Sequence, residues 1–303
     1  MEETFWIQSE ADGTPIFTKK FFSDKKPKAL VQIAHGMAEH IQRYDEFAQF
    51  LVEQGIFVYG NDHRGHGESG LKQGLLGYFS ERDGFLKAAK DLYQITKQMK
   101  NDYPDTPLFL FGHSMGSFLA RCYMQQHSEE IDGVILSGTG YFPYHLTAFG
   151  KQIALRLEQK KASPLMNKLA FGGYNRKISY PKTAFDWLSR DDREVQKYVE
   201  DPLSGYIPTA RFFVDLFTGI EQMQNKNANR AVHKDLPLLF ISGDHDPVGN
   251  YGRGVWKSAE LYESLGFRHI TVLLYEKARH ELLHEINRKE VFSSILKWME
   301  QHL

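Results

Sequence analysis

The chain of 303 residues holds a single cysteine, Cys122. One thiol makes no intrachain disulfide and supplies no thiolate metal cluster, which excludes a disulfide-stapled scaffold and a zinc ribbon. Neither sign of charge dominates, since 37 Lys and Arg stand against 38 Asp and Glu. Without a basic excess, nucleic acid is not an expected partner. No apolar run approaches the roughly 18 residues of a membrane span. The opening Met1-Glu2-Glu3-Thr4-Phe5-Trp6 also lacks the charged and apolar segments of a secretion signal. A cytoplasmic location is therefore expected. Internal repeats and low-complexity tracts are missing too.

What remains is an ordinary globular composition, 42% hydrophobic and 25% charged, enough for one large domain or two. Aromatic residues reach 14%, and that surplus of apolar area needs a location. Short β-branched and aromatic runs predict strands at Thr4–Glu10, Thr14–Phe22, Ala29–Ala34, Ile56–Gly60, Leu108–Phe111, Gly133–Leu136, Leu238–Ser242 and Ile270–Tyr275. The first two are joined by Ala11-Asp12-Gly13, a hairpin signal; the later ones alternate with segments of helical spacing such as Phe85, Ala88, Ala89, Leu92 and Ile95. Apolar strands with crossover helices predict an α/β protein whose mostly parallel sheet is covered on both faces. The alternation stops at about Thr139 and resumes near Lys234. Helices are expected between them at Leu146–Glu158, Thr183–Leu188, Asp192–Val199 and Arg211–Met223, punctuated by Ser163-Pro164, Gly172-Gly173 and Asp201-Pro202. This predicts a core of residues 1–138 and 235–303 carrying a helical cap of residues 139–234.

The strongest chemical signal is Gly112-His113-Ser114-Met115-Gly116, between the strand Leu108–Phe111 and the helical segment from Ser117. As a string G-x-S-x-G is weak, but between strand and helix it describes a nucleophile elbow. The sharp turn presents Ser114 above the sheet edge, and the flanking glycines let strand and helix pass closely. A serine hydroxyl needs a positioned base, and that base needs a carboxylate to fix its tautomer. Partners of an elbow serine follow at the ends of later strands, in the order acid, then histidine. Leu238–Ser242 runs into Gly243-Asp244-His245-Asp246-Pro247, which offers two acids, and Ile270–Tyr275 runs into Glu276-Lys277-Ala278-Arg279-His280. His280 is the expected base, whereas His245 and His284 are expected to be solvated or structural.

Five motifs in order carry a resemblance: Val31–His40 (VQIAHGMAEH), Asn61–Gly70 (NDHRGHGESG), GHSMG, SGDHDPVG and YEKARHELLHE. Together they resemble the monoacylglycerol lipase and lysophospholipase branch of the α/β-hydrolase superfamily, over roughly residues 5–140 and 235–303. The cap matches loosely, through Trp187–Asp191 and Asp201-Pro202. The resemblance implies an eight-stranded α/β-hydrolase fold with an inserted cap, and it selects Asp246 as the acid over Asp244, which is left to bond loop backbone. It also implies that the backbone N–H groups of Met37 and Met115 form the oxyanion hole, with Glu39 and His40 anchoring the Met37 loop. Met37 stands where the family usually has a smaller residue.

Two motifs imitate other chemistries. Gly65-His66-Gly67-Glu68-Ser69-Gly70 satisfies the dinucleotide fingerprint, but it lies outside the first βαβ unit and follows Asp62-His63-Arg64 rather than a strand end. His280-Glu281-Leu282-Leu283-His284 satisfies H-E-x-x-H, yet His280 sits just past a strand and is already needed beside Ser114. No metal and no organic cofactor is therefore expected. Cys122 reads as a small buried apolar side chain, and His113 as a packing group.

The expected activity is hydrolysis of carboxylic esters through an acyl-enzyme. The cap is rich in large apolar residues, among them Phe142, Phe149 and Ile153, which are expected to line an acyl channel above Ser114. Each buried CH₂ contributes about 0.8 kcal/mol, favouring medium or long acyl chains over acetate. A small acyl ester, a monoacylglycerol or lysophospholipid, is the expected partner. The amphipathic cap helices suit transient contact with a membrane or micelle surface. A serine at the elbow excludes the aspartate-dependent dehalogenase and epoxide hydrolase chemistries. An aminopeptidase, a carbon–carbon hydrolase, an acyltransferase or a non-turnover binding protein on the same scaffold stay open. Oligomeric state is not legible from the sequence.

Overall fold

The computed structural model describes residues 1–303. Eight strands form one sheet: β1 (Glu2–Gln8), β2 (Pro15–Phe21), β3 (Ala29–Ala34), β4 (Ile56–Asn61), β5 (Leu108–His113), β6 (Gly133–Ser137), β7 (Leu238–Gly243) and β8 (Ile270–Tyr275). Their order is β1-β2-β4-β3-β5-β6-β7-β8, antiparallel at β1–β2 and β2–β4 and parallel from β4 to β8. The expected fold is the one observed, with strand ends displaced by up to two residues.

The helices are α1 (Asp45–Glu53), α2 (Gly67–Gln73), α3 (Gly84–Asp102), α4 (Met115–His127), α5 (Tyr144–Ala154), α6 (Pro164–Phe171), α7 (Asp192–Glu200), α8 (Ala210–Met223), α9 (Lys226–Asn229), α10 (Arg253–Glu263) and α11 (Arg288–Glu300). Alternation along each central strand divides the core. Leu108 and Leu110, Val134 and Leu136, and Leu238 and Phe240 point to the face covered by α3, α4, α8 and α10. Phe109 and Phe111, Ile135, and Leu239 and Ile241 point to the face covered by α1 and α11. Continuously apolar strands thus follow from burial on both sides.

Residues 138–237 add no strand to the sheet and carry α5–α9. Within them α8 is bound most deeply: Phe212, Phe213, Leu216 and Ile220 are buried in the same core as α3 and α4. By contrast α5 and α6 leave Tyr144, Leu146, Phe149, Leu165 and Leu169 exposed. Ser163-Pro164 closes the connection after α5 and starts a helix that was not expected: Ser163 Oγ caps α6 by accepting the Met166 N–H, and Pro164 is its first residue. One local expectation fails for an identifiable reason. Thr183–Leu188 is no helix, only a 3₁₀ turn at Asp186–Leu188, because the Asp186 carboxylate draws in the N–H groups of Lys182 and Thr183.

Candidate active site

Strand β5 passes into α4 through Ser114, whose φ of 51° and ψ of −120° lie where L residues seldom sit. The turn is held by the Ser114 N–H donating to Ser137 O at 2.8 Å and by Ser117 Oγ donating to Ser114 O at 2.6 Å. A Cβ at Gly112 would lie 2.5 Å from Gly116 O, and one at Gly116 only 1.9 Å from Ala34 O. Only glycine fits at either crossing.

The ends of β7 and β8 bring Asp246 and His280 together. His280 Nδ1 donates to Asp246 Oδ2 at 2.9 Å; the same carboxylate accepts Ser242 Oγ at 3.2 Å and, through Oδ1, the Val248 N–H at 2.8 Å. Both side chains are buried. Burial disfavours the imidazolium, but the Asp246 charge and hydrogen bond, aided by Glu281 and Glu39, outweigh it and raise the His280 pKa above its ordinary value. With its proton held on Nδ1, Nε2 presents a lone pair. Ser114 and His280 border one cavity, and no hydrogen bond joins Ser114 Oγ to Nε2. Such contacts commonly close only with substrate in place. His113, its ring 4.7 Å from that of His280, is pushed down to about 4 by burial and then by His280 itself, which keeps it neutral.

The loop after β3 carries Met37. Glu39 Oε1 accepts the Gly36 N–H and the Tyr44 hydroxyl, and His40 Nε2 bonds Asp201 Oδ2 at 2.6 Å. The loop is thus tied down on both sides of Met37. The Met37 N–H has no backbone acceptor. Met115 opens α4, where an N–H has no intrahelical partner.

Two cavities, one strongly apolar and one mixed, meet at Ser114 and Met37. One, of about 400 Å³, has 16 hydrophobic residues among 20. Phe142, Phe149 and Ile153 lie on its wall, with Phe217 and Ile220 of α8 and Leu169 of α6 opposite. The other, of about 390 Å³, is more polar, and Glu39, His113, Asn167, Asn175, His280 and Glu281 border it. Sequence reasoning named Met166, Leu169 and Phe171 of α6 among the channel candidates but missed the α8 wall, Phe217 and Ile220, which carries no motif. It also missed Trp187 as a neighbour of the base, although the ring lies 5.0 Å from that of His280 and Trp187 O accepts the His280 N–H.

The imitating motifs are used otherwise. Asp62 occupies the start of α2, accepting the Glu68 and Ile41 N–H groups, so a carboxylate sits where a phosphate would. A Cβ at Gly67 would lie 2.1 Å from Asp62 Oδ2. The segment from His280 to His284 is not an α-helix; His284 Nε2 donates to Arg43 O and Glu281 pairs with Arg43. Asp244 does not bond loop backbone as expected, but pairs at the surface with the adjacent His245 ring at 2.5 Å. The buried Cys122 thiol is pushed up to about 12 by burial.

Comparison with known proteins gives this geometry a family. A family model described as serine aminopeptidase, S33, matches residues 25–287. The chain belongs to this family. It is 30% identical to a monoacylglycerol lipase of Mycolicibacterium smegmatis, over 96% of this chain and 95% of that one. It is 29% identical to the human monoglyceride lipase, over 96% and 88% of the respective lengths. Among solved structures, a thermostable carboxyl esterase from Bacillus coagulans in complex with glycerol superposes with a TM-score of 0.90 at 29% identity, covering 99% and 98%. The resemblance to the monoacylglycerol lipase branch of the α/β-hydrolases, read from five motifs, is thereby borne out. No helix is long and apolar enough to cross a membrane.

Proposed function

We propose that this chain, a carboxylic-ester hydrolase of the monoacylglycerol lipase type, cleaves medium- and long-chain monoacylglycerols through Ser114, His280 and Asp246. The reading rests on one observation above all: a strongly apolar cavity and a more polar one join at Ser114. The acyl chain lies in the first against Phe142, Phe149 and Ile153, and the glycerol in the second. His280 takes the Ser114 proton as Oγ attacks the ester carbonyl. The Met37 and Met115 N–H groups receive the oxyanion. His280 then protonates the departing glycerol, and water, activated by the same imidazole, releases the fatty acid.

The charge of the second cavity's wall favours an uncharged alcohol. Glu39 and Glu281 share the Arg43 guanidinium between them, which leaves Lys168 the one lysine or arginine on that wall to meet a phosphate beside Ser114. Residues 139–234 act as the cap, with α5 and α6 as its exposed rim and α8 as the floor packed into the core. The exposed Leu146, Phe149 and Leu169 both border the apolar cavity and face outward, which supports transient docking of this rim on a lipid surface. A cytoplasmic location fits the lone, buried, reduced thiol.

The test is a comparison of monoacylglycerols of increasing chain length, lysophosphatidylcholine and an aminoacyl-naphthylamide, using the intact chain and Ser114→Ala. The reading requires a long-chain glycerol ester to win and Ser114→Ala to lose at least about 10³-fold. Preference for acetate removes the acyl channel, preference for the lysophospholipid removes the charge argument, and preference for the naphthylamide makes the chain a peptidase.

A further inference from the structure

The loop that carries Met37 and the loop that carries His280 come from opposite ends of the chain, and one side chain spans them. Arg43 Nη1 donates to Glu39 Oε2 at 2.6 Å and to Glu281 Oε1 at 2.6 Å, while Nη2 donates to Glu281 Oε2 at 2.7 Å. Glu39 in turn holds the Gly36 N–H, the residue before Met37, and Glu281 is the residue after His280. The Arg43 carbonyl accepts His284 Nε2 at 2.9 Å, so its main chain grips the base loop as well. Tyr198 stacks over the guanidinium at 4.8 Å, and its hydroxyl bonds Ala38 O at 3.0 Å. The side chains of Arg43, Glu39 and Glu281 are 9%, 3% and 5% exposed, so the bonds are shielded from water.

We propose that Arg43 is a positioning residue, setting the distance between the oxyanion-binding loop at Met37 and the base His280 by forking between Glu39 and Glu281. A guanidinium suits this role because it offers several N–H donors in one rigid plane, whereas an ammonium is a point charge on a flexible stem. Stability alone explains the arrangement poorly. Buried ion pairs rarely outperform packed apolar residues in stability, so the cluster is better accounted for by the geometry it imposes. The proposal rests on the reading of Ser114, His280 and Met37 given above.

Arg43→Lys keeps the charge and loses the fork. Its kcat falls about 10- to 100-fold, the scale of a small misplacement of reacting groups, while KM stays within about twofold. Affinity for a trifluoromethyl ketone of the acyl chain, which loads the oxyanion hole, falls by the same factor. A second variant removes the charges together: Arg43→Met, Glu281→Leu and Glu39→Gln, which retains an acceptor for Gly36. It folds, by thermal denaturation and circular dichroism, and keeps the low kcat. The acid limb of the pH–rate profile gives an independent readout. The charged and titratable groups around His280 are Asp246, His113, Glu39 and Glu281, with Arg43 and His284 behind them. Glu281→Gln moves the limb down, and Arg43→Met, which leaves two carboxylates uncompensated, moves it up.

Wild-type kcat in Arg43→Lys, recovered kcat in the triple variant, or pH limbs that move together would overturn the proposal. Retained activity in Ser114→Ala would instead overturn the reading of the site on which it rests.

Discussion

A methyl group added at Gly116 would sit 1.9 Å from the Ala34 carbonyl oxygen, a main-chain atom that cannot rotate away. Gly116→Ala therefore moves α4 off β3 and displaces Ser114, and we predict a loss of kcat/KM of at least about 10²-fold with a lowered melting temperature. At His280 the prediction concerns pH. Its pKa is raised because the Asp246 charge outweighs burial, and the base must be neutral to act. The acid limb of kcat/KM then lies above about 6.5, the value of a free imidazole. Asp246→Asn removes both the charge and the tautomer control; kcat falls about 10⁴-fold and the limb moves down. Steady-state rates between pH 5 and 9 check both variants. A limb left in place would show that the carboxylate does not act on this imidazole.

At the scale of elements, the proposed acyl path makes α5 and α8 the helices that decide which chains fit. They approach closely at Gly150, where a Cβ would lie 2.9 Å from the Phe217 ring. Phe149 and Ile153, one position before Gly150 and three after it, border the apolar cavity together with Phe217 and Ile220. Ile153→Trp fills part of that space without touching Ser114. We predict that kcat/KM for long acyl chains falls relative to medium ones, about fourfold for each methylene excluded. A chain-length series on this variant checks it; a uniform loss at all lengths would place Ile153 outside the acyl path. Of these two helices, α8 shows why its part of the wall escaped sequence reading. Apolar residues at helical spacing look alike whether they meet a core or a cavity, and α8 does both, packing Phe212 into the core while Phe217 borders the cavity.

The whole molecule carries a pH dependence of its own. His35, His63 and His66 form a buried cluster, their rings joined by hydrogen bonds to backbone, and His113 is buried beside His280. Burial pushes His63 down to about 3 and His66 and His113 to about 4, and it holds His35 well below the usual range. Above about pH 6.5 these groups are neutral whether folded or unfolded and contribute no slope. Below it the unfolded chain takes up protons that the folded chain refuses, so stability falls with acidification at about 1.4 kcal/mol per pH unit for each such histidine. Asp62 opposes this in part, because burial raises it to about 6 and the folded state binds its proton first. His280, with a raised pKa, adds stability below about 6.5 that is lost as pH rises through its folded value. His280 acts above this window; within it five depressed histidines, His127 included, outweigh Asp62 and the burial-raised Asp45, Asp91 and Asp215, and urea unfolding should therefore show stability rising from pH 4.5 to 6.5. A flat profile would mean that the cluster is accessible to protons.

The architecture and the chemistry were legible because both are written locally. Period-two burial fixes which side of the sheet each residue of β5–β7 faces, and a strained Ser114 between two obligatory glycines can be read from five residues. The placement of Asp246 and His280 at strand ends was legible, with the choice of Asp246 over Asp244 resting on the resemblance. What the sequence alone could not determine depends on groups far apart in the chain. The Arg43 fork joins residues more than two hundred positions apart, Trp187 reaches His280 from the helical segment, and the two cavities exist only between elements. Backbone conformation and hydrophobic period act over a few residues, whereas a buried charge finds its partner only once the chain has closed around it.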